Sequence, residues 1–268
     1  MKQIFIFAFA VMISGLFGCA AQSETATAQS KQSNPNQSNK SIATRAKTPV
    51  LVELFTSEGC SSCPPADRVL SQLENEQSNS EAEIITLALH VDYWNYLGWK
   101  DEFSQKQFSE RQSGYAQRFK LDSSYTPQMI VDGQTQFVGS NHETVQKAIS
   151  DSAKNTKANI EISKTNEKLN VKIIDAPTHD DSYVWLAIAE DDLKTNVQRG
   201  ENGGKTLEHV SVVREMKLLG VLAAADKSFE SETALQFNSV WKKENLKFVV
   251  FMQGKDSKKV FGVRKLVN

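Results

Sequence analysis

The chain has 268 residues, of which 40% are hydrophobic and 24% are charged, and its formal net charge is −1. This length is enough for one large domain or for two of ordinary size. A charge balance near zero gives no electrostatic reason to expect a nucleic acid as partner, so the sequence predicts no nucleic-acid binding.

Residues 1–19 have the pattern of an export signal. Lys2 provides a positive charge, and an apolar run from Ile4 to Ile13 follows it. This run is too short for a membrane-spanning helix, but it fits the apolar part of a signal peptide. We therefore expect the protein to be exported to the cell envelope.

The signal ends in LFGC, which resembles the bacterial lipobox, although Phe17 is larger than that pattern prefers. Because the lipobox cysteine is lipidated, Cys19 is predicted to anchor the protein to a membrane. The alternative is an ordinary signal peptide cleaved after Ala20 or Ala21. Residue 20 is not the aspartate that retains many lipoproteins in the inner membrane, which favours an outer-membrane lipoprotein facing the periplasm.

Residues 20–47 are predicted to be a flexible linker. The segment consists mainly of Ser, Gln, Asn, Thr, Ala and Lys, and Ile42 is its one long aliphatic residue. Such a composition buries too little apolar surface to offset the entropy that is lost on ordering.

Residues 48–156 alternate between short apolar runs and amphipathic segments, which predicts the order β-α-β-α-β-β-α. The predicted strands span residues 50–55, 84–91, 128–131 and 135–138, and the predicted helices span residues 60–77, 103–119 and 142–153. Asp132 and Gly133 form a predicted hairpin turn, and Asn141 is the predicted cap of the last helix.

Residues 157–268 contain strands separated by polar turns and few helical patterns. The predicted strands span residues 159–162, 169–174, 183–189, 207–216, 233–241, 246–252 and 260–267. This pattern is typical of a mainly antiparallel, β-sandwich-like domain, with a domain boundary near residue 156.

Two cysteines remain once Cys19 is set aside, and they form the CxxC motif of Cys60 and Cys63. Export places this pair in a compartment where disulfides persist. The motif opens a predicted helix, whose free N–H groups and dipole stabilise a thiolate. Cys60 is therefore the predicted nucleophile, and Cys63 is the thiol that resolves a mixed disulfide.

Two other interpretations of the cysteine pair stay open. Zinc needs four ligands and the chain has no second cysteine pair, so a metal interpretation favours Cu(I), bound by both thiolates and by His90. The protein would then be a Cu(I)-binding protein or metallochaperone. A purely structural disulfide is the third possibility, although its small loop adds little stability.

Thr126 and Pro127 precede a predicted strand and resemble the cis-proline loop of the thioredoxin superfamily. In that superfamily the loop faces the CxxC pair, and the backbone before the proline pairs with the substrate chain. We therefore expect a cis bond here and a substrate-binding role for both residues. An ordinary trans proline at a strand edge is the alternative.

Glu53 lies in the strand before the motif, where thioredoxin-like proteins often bury an acid that relays the proton of the inner cysteine. The spacing here is one residue longer than in thioredoxin. A Glu53 that faces the core is a candidate proton acceptor, and one that faces solvent has no role. Glu58 lies close to Cys60 with no nearby Lys or Arg, which predicts that the pair is not a strong oxidant.

Three blocks of the sequence resemble an exported bacterial family catalogued as domain of unknown function 1223. They are VELFTSEGCSSCPPAD at residues 52–67, HVDYWNYLGWK at 90–100 and YTPQM at 125–129. The resemblance runs from about residue 49 to the C-terminus and includes residues 200–214. It implies export and a thioredoxin-like fold within an α/β protein, but it supplies no established substrate.

The second block follows a predicted strand, so it should lie at the same sheet edge as the CxxC pair. Tyr93 and Trp94 are the candidate substrate platform at this edge. The alternative is a loop whose aromatic side chains pack on neighbouring elements.

The sequence therefore predicts an exported thiol–disulfide oxidoreductase whose partners are exported thiol or disulfide proteins. No cofactor is expected, because the electrons pass through partner thiols. A further hypothesis is an interaction module whose β-rich half docks a partner. The residues do not determine the direction of exchange, the physiological substrate or the oligomeric state.

Overall fold

The computed structural model describes residues 47–75 and 82–268. It contains three α-helices, α1 (Pro64–Asn75), α2 (Lys106–Phe119) and α3 (His142–Ser152), within this part of the chain. The strands described in the first half are β1 (Thr48–Thr56), β2 (Ala82–His90), β3 (Gln128–Val131) and β4 (Thr135–Val138). Those of the second half are β5 (Asn159–Thr165), β6 (Lys168–Ile174), β7 (Ser182–Glu190), β8 (Leu193–Asn196), β9 (Thr206–His209), β10 (Val212–Leu222), β11 (Phe229–Ala234), β12 (Leu246–Gly254) and β13 (Val260–Val267).

The predicted elements of the first half are confirmed with small shifts at their ends. β1 and β2 are parallel, β3 runs antiparallel to β1, and β4 forms a hairpin with β3. The Asn141 side chain caps α3 by accepting a hydrogen bond from the Thr144 N–H at 3.0 Å. The predicted order of strands and helices therefore follows from local patterns alone.

The large sheet continues from the first half of the chain into the second. Its eight strands lie in the order β13-β12-β7-β10-β2-β1-β3-β4. The junction is between β10 and β2, where Val212 is opposite Ala88 and the Ala88 N–H donates to the Ser211 carbonyl at 2.8 Å. The protein is thus a mixed α/β fold built around one large mixed sheet.

Residues 157–268 do not form the separate β-sandwich that the sequence predicted. Four of its strands extend the sheet of the first half, and three others form a small sheet in the order β11-β6-β5. The hydrophobic pattern predicted which segments are buried strands, but it did not predict which strands pair with each other. The edge of β2 is covered by β10, so residue 156 does not separate two independent sheets.

Alternating residues of β1 face two different cores. Val50, Val52 and Leu54 pack with α1 and α3, whereas Leu51 and Phe55 pack with α2 and with strands of the second half. A third core lies between the small sheet and the outer face of β7 and β12. The period of two in a strand explains this division, because neighbouring side chains point to opposite faces.

The predicted strand over residues 207–216 is divided in two. Ser211 has a φ of 57°, in the left-handed region, and its N–H donates to the Asp191 carboxylate at 2.6 Å. This residue therefore turns the chain between β9 and β10. The predicted strand over residues 233–241 is also shorter, because β11 ends at Ala234.

The predicted signal peptide, its Cys19, and the linker up to residue 46 lie outside the described residues. Within residues 47–75 and 82–268, no helix is long and apolar enough to cross a membrane.

Candidate functional site

The CxxC motif lies in a turn between β1 and α1. Cys60 and Cys63 form a disulfide, and neither residue has exposed surface. The Cys63 carbonyl accepts the N–H groups of Ala66 and Asp67 at 2.8 and 3.1 Å, so the first helical turn starts at Cys63. The disulfide therefore lies at the N-terminus of α1, where helix N–H groups are free and the dipole favours negative charge.

Three of the predicted substrate-binding residues lie together beside this turn. The Thr126–Pro127 bond is cis, as predicted. Pro127 precedes Gln128, which is opposite Phe55 near the end of β1. The Trp94 Nε1 atom donates to the Thr126 Oγ1 atom at 2.8 Å.

Trp94 also lies against the CxxC turn. A Cβ atom at Gly59 would be 3.2 Å from the Trp94 Cβ atom, which explains the need for a small residue there. The Tyr93 hydroxyl donates to the Gln112 Oε1 atom of α2 at 3.0 Å. Burial raises the pKa of Tyr93 to about 12. Trp94 thus joins the turn to the proline loop, and the Tyr93 hydroxyl bonds to α2.

Glu53 is buried, but it does not lie with the disulfide. Its carboxylate accepts two hydrogen bonds from the Arg111 guanidinium, at 2.7 and 3.0 Å. The Tyr115 hydroxyl donates to the same carboxylate at 2.5 Å. Glu53 faces α2, on the opposite side of β1 from α1. The predicted proton relay to Cys63 is not supported, because the alternation along β1 directs this acid away from that helix and into an ion pair.

A different acid, Glu58, lies directly next to the motif and is fully buried. The Trp99 Nε1 atom donates to its Oε2 atom at 2.7 Å. The His209 Nε2 atom is 3.2 Å from its Oε1 atom. His209 comes from the end of β9, so the second half of the chain supplies part of the site.

A second buried pair, His90 and Asp101, lies behind Glu58. The His90 Nδ1 atom is 2.7 Å from the Asp101 Oδ2 atom, which also accepts the Glu58 N–H at 2.9 Å. The rings of His90 and His209 meet edge to face with centroids 5.1 Å apart. Among the described residues, His90 Nε2 is a buried nitrogen without a hydrogen-bond partner.

Charge neutralisation shifts the pKa values of this pair in opposite directions. Burial disfavours the charged form of His90, but the Asp101 carboxylate outweighs this effect and raises the pKa of His90. Burial likewise opposes the Asp101 charge, yet His90 and two backbone N–H groups lower the pKa of Asp101. On α1, burial raises the pKa of the Asp67 carboxyl, whose Oδ1 accepts the Thr56 hydroxyl at 2.9 Å.

Residues of the loop between β8 and β9 hold the CxxC turn from outside. The Asn202 side chain is buried, and its Nδ2 atom donates to the carbonyls of Glu58 and Cys60, both at 2.9 Å. The Glu201 Oε2 atom accepts the Ser61 N–H at 2.9 Å. This contact joins residues that are far apart in sequence.

Local sequence patterns did not indicate the roles of several residues at this site. They are Asp67, Asp101, Arg111, Glu201, Asn202 and His209. Arg111 lies on an amphipathic helix, where the sequence does not distinguish an arginine in a buried ion pair from an arginine on the surface. Asn202 and Glu201 belong to the 200–214 segment that carries the family resemblance. That resemblance is the sequence feature from which their part in the site could have been inferred. His90 was the candidate third ligand in the Cu(I) interpretation. Its Nδ1 atom contacts the Asp101 carboxylate.

Within the described part of the chain, no group of three or more His, Cys, Asp or Glu side chains has an arrangement suited to a metal ion. The fold and site thus define a mixed α/β protein with a buried CxxC disulfide that both halves of the chain enclose.

The chain belongs to the family described as "Protein of unknown function (DUF1223)", whose model matches residues 51–253. No curated protein shows significant similarity to it. A crystal structure of protein AGR_C_4864 from Agrobacterium tumefaciens is similar, with a TM-score of 0.67 and 23% identity. The match covers 82% of this chain and 95% of that one, and it supports the fold alone.

Two other solved structures match less of the chain. A domain of the outer membrane lipoprotein Omp28 from Porphyromonas gingivalis has a TM-score of 0.23 and 18% identity, over 42% of this chain and 88% of that one. Superoxide reductase from Nanoarchaeum equitans has a TM-score of 0.21 and 12% identity, over 42% of this chain and 92% of that one. With such low scores, neither bears on function.

Proposed function

We propose that this protein is an exported thiol–disulfide oxidoreductase whose first half has a thioredoxin-like fold. The observation that carries the proposal is the Cys60–Cys63 disulfide at the start of α1, at the same sheet edge as the cis Thr126–Pro127 loop. The element order over residues 48–156 is the one that the thioredoxin resemblance implies. The second half then forms a β-rich extension that contacts the same site.

The chemistry requires no group beyond the cysteines. In the reduced protein, the Cys60 thiolate attacks one sulfur of a partner disulfide, and the other partner sulfur leaves as a thiolate that takes up a proton. The Cys63 thiol then loses its proton and attacks Cys60, which re-forms the protein disulfide and releases the second partner thiol. Two electrons pass from the cysteine pair to the partner, and the reverse sequence oxidises a partner dithiol.

Trp94, Thr126 and Pro127 form the proposed substrate-contacting surface beside the turn. Thr126 and Trp94 are joined by a hydrogen bond, so the two loops are held in one arrangement. The partners that fit this surface are exported proteins with accessible thiols or disulfides. The export signal and the lipobox cysteine, Cys19, support a location at the periplasmic side of the outer membrane.

Exchange with glutathione tests the proposal. We expect the wild-type disulfide to equilibrate with reduced and oxidised glutathione, and we expect Cys60→Ser to lower the exchange rate to the uncatalysed background. The matched variant Cys63→Ser keeps the nucleophile, so it should accumulate a mixed disulfide that mass spectrometry detects. A Cys60→Ser variant that exchanges at the wild-type rate would falsify the proposal.

The midpoint of the same equilibration gives the direction of the reaction. A reduction potential near about −270 mV is typical of thioredoxin, a reductant, and one near about −120 mV is typical of a strong oxidant. The buried Glu58 beside Cys60 favours the reducing end of this range, because a neighbouring carboxylate disfavours a thiolate.

A further inference from the structure

The loop that contains Glu201 contacts the CxxC turn directly after Cys60, whose Sγ atom lies 3.3 Å from the Ser62 Oγ atom. Glu201 accepts the Ser61 N–H, the first amide after Cys60. Amides that follow the first cysteine at a helix N-terminus are the donors that stabilise its thiolate. A carboxylate on this amide therefore competes with the Cys60 sulfur for the donor and adds a negative charge beside it.

The loop is held in place independently of the Glu201 side chain. The Asn202 side chain donates to two carbonyls of the turn, and the Lys205 Nζ atom donates to the Asn202 Oδ1 atom at 2.9 Å. Gly200 has a φ of 77°, and a Cβ atom there would be 3.2 Å from the Trp99 Cβ atom. The loop therefore fits closely against the turn, and a change at the exposed Glu201 leaves these contacts intact.

On the basis of the proposed thiol–disulfide function, we infer that Glu201 is a positioning residue that occupies the Ser61 N–H and so disfavours the Cys60 thiolate. Its effect is to make the cysteine pair more reducing, because a less stable thiolate is a less stable reduced form. The second half of the chain thereby tunes the redox chemistry of the first.

Other ionisable groups surround the turn and stay constant in the test. They come from the turn itself, from α1, from β2 and from the second half of the chain, and they are Glu58, Asp67, His90, Lys205 and His209. Glu58 and His209 lie in contact, and Asp101 accepts the Glu58 N–H. Arg199 and Lys205 are the cations of residues 197–205, which contain Glu201. A comparison of variants that differ only at residue 201 isolates the Glu201 contribution from theirs.

The test measures the alkylation rate of the reduced protein by iodoacetamide between pH 5 and 10, together with the glutathione equilibrium. Glu201→Gln removes the charge and keeps an acceptor for Ser61. We expect the midpoint of its alkylation profile to lie about 0.5 pH units lower, a threefold gain in thiolate stability that is modest because Glu201 is exposed and screened. Above that midpoint the glutathione equilibrium should shift threefold, or about 15 mV towards a more oxidising pair.

Glu201→Ala also frees the Ser61 N–H for the sulfur, so we expect a larger shift than that of Glu201→Gln. The control is Glu208→Gln, which removes an exposed, Lys194-paired carboxylate on β9 with the same change in net charge. Its profile should equal that of the wild type.

Three results would overturn the inference. They are an unchanged Glu201→Gln profile, a Glu208→Gln shift of equal size, or a Glu201→Ala shift no larger than that of Glu201→Gln. A wild-type protein that fails to exchange with glutathione contradicts the proposed function instead, while the alkylation profiles still report on Glu201.

Discussion

Glu53 and Glu58 are both fully buried acids at β1, yet their surroundings differ in kind. Glu53 lies within the strand and pairs with Arg111, a cation at every physiological pH. Glu58 lies in the turn before Cys60, and its partners are the indole N–H of Trp99 and the titratable ring of His209. One acid is paired with a permanent cation, and the other is not.

This difference separates an acid that pairs with a guanidinium from one whose partners are an indole and an imidazole. The Glu53 cluster joins α2 to β12, since Gln253 accepts from Arg111 Nη1 at 3.0 Å and donates to the Tyr115 hydroxyl at 2.7 Å. The Glu58 cluster lies at the CxxC motif and contains two histidines. The sequence offered Glu53 as a candidate proton acceptor, but the structure places its carboxylate in an ion pair with Arg111.

The largest expected effect is the loss of Arg111. Arg111→Ala leaves the buried Glu53 carboxylate uncompensated, so we expect a loss of about 3–5 kcal/mol in the free energy of unfolding. Denaturant titration measures it. The control Lys106→Ala removes an exposed cation that pairs with Glu110 on the same helix, and it should cost less than about 0.5 kcal/mol. Equal costs for the two variants would show that the Glu53 pair is not a structural element.

The next effect depends on pH. Asp101→Asn removes the carboxylate that raises the pKa of His90, and we expect a cost of about 3 kcal/mol at pH 6. A histidine with a raised pKa contributes its full stabilisation below about 6.5 and loses it as the pH rises through the raised value. The Asp101 contribution, from a lowered pKa, is lost only as the pH falls below about 4.

The cost of Asp101→Asn should therefore shrink between pH 6 and pH 9, as followed by urea unfolding at each pH. The control is Asp151→Asn, which changes an exposed carboxylate paired with Lys147 and Lys154. Its effect should not vary over this range. A cost for Asp101→Asn that stays constant with pH would show that His90 does not titrate in the folded protein.

The smallest effect compares one hydrogen bond in each cluster. Trp99→Phe removes an indole donor from Glu58, which has no permanent cation, so we expect a cost of about 2 kcal/mol. Tyr115→Phe removes a hydroxyl donor from Glu53, where Arg111 remains, and it should cost about 1 kcal/mol. Thermal unfolding of the two variants side by side measures the difference. If Tyr115→Phe costs more, then the arginine does not dominate the Glu53 cluster.

Much of the first half could be predicted because its signals are local. The apolar run before Cys60, the helical spacing of Val69, Leu70 and Leu73, and the capping residue Asn141 each act within a few residues. The cis bond before Pro127 was predicted because a Thr-Pro pair precedes a strand at the position where the thioredoxin superfamily has its cis-proline loop. The roles of Glu53 and Asn202 did not follow, since the partner of each lies more than fifty residues away in sequence.

By itself, the sequence determined the strand and helix order of residues 48–156, the position of the cysteine pair at a helix start, and membership of the family. Only the tertiary structure decided that β10 pairs with β2, that Glu53 meets Arg111, and that Asn202 and Glu201 contact the CxxC turn. The physical reason is that periodicity shows which residues are buried. The choice of partner depends on which faces meet when distant segments pack together.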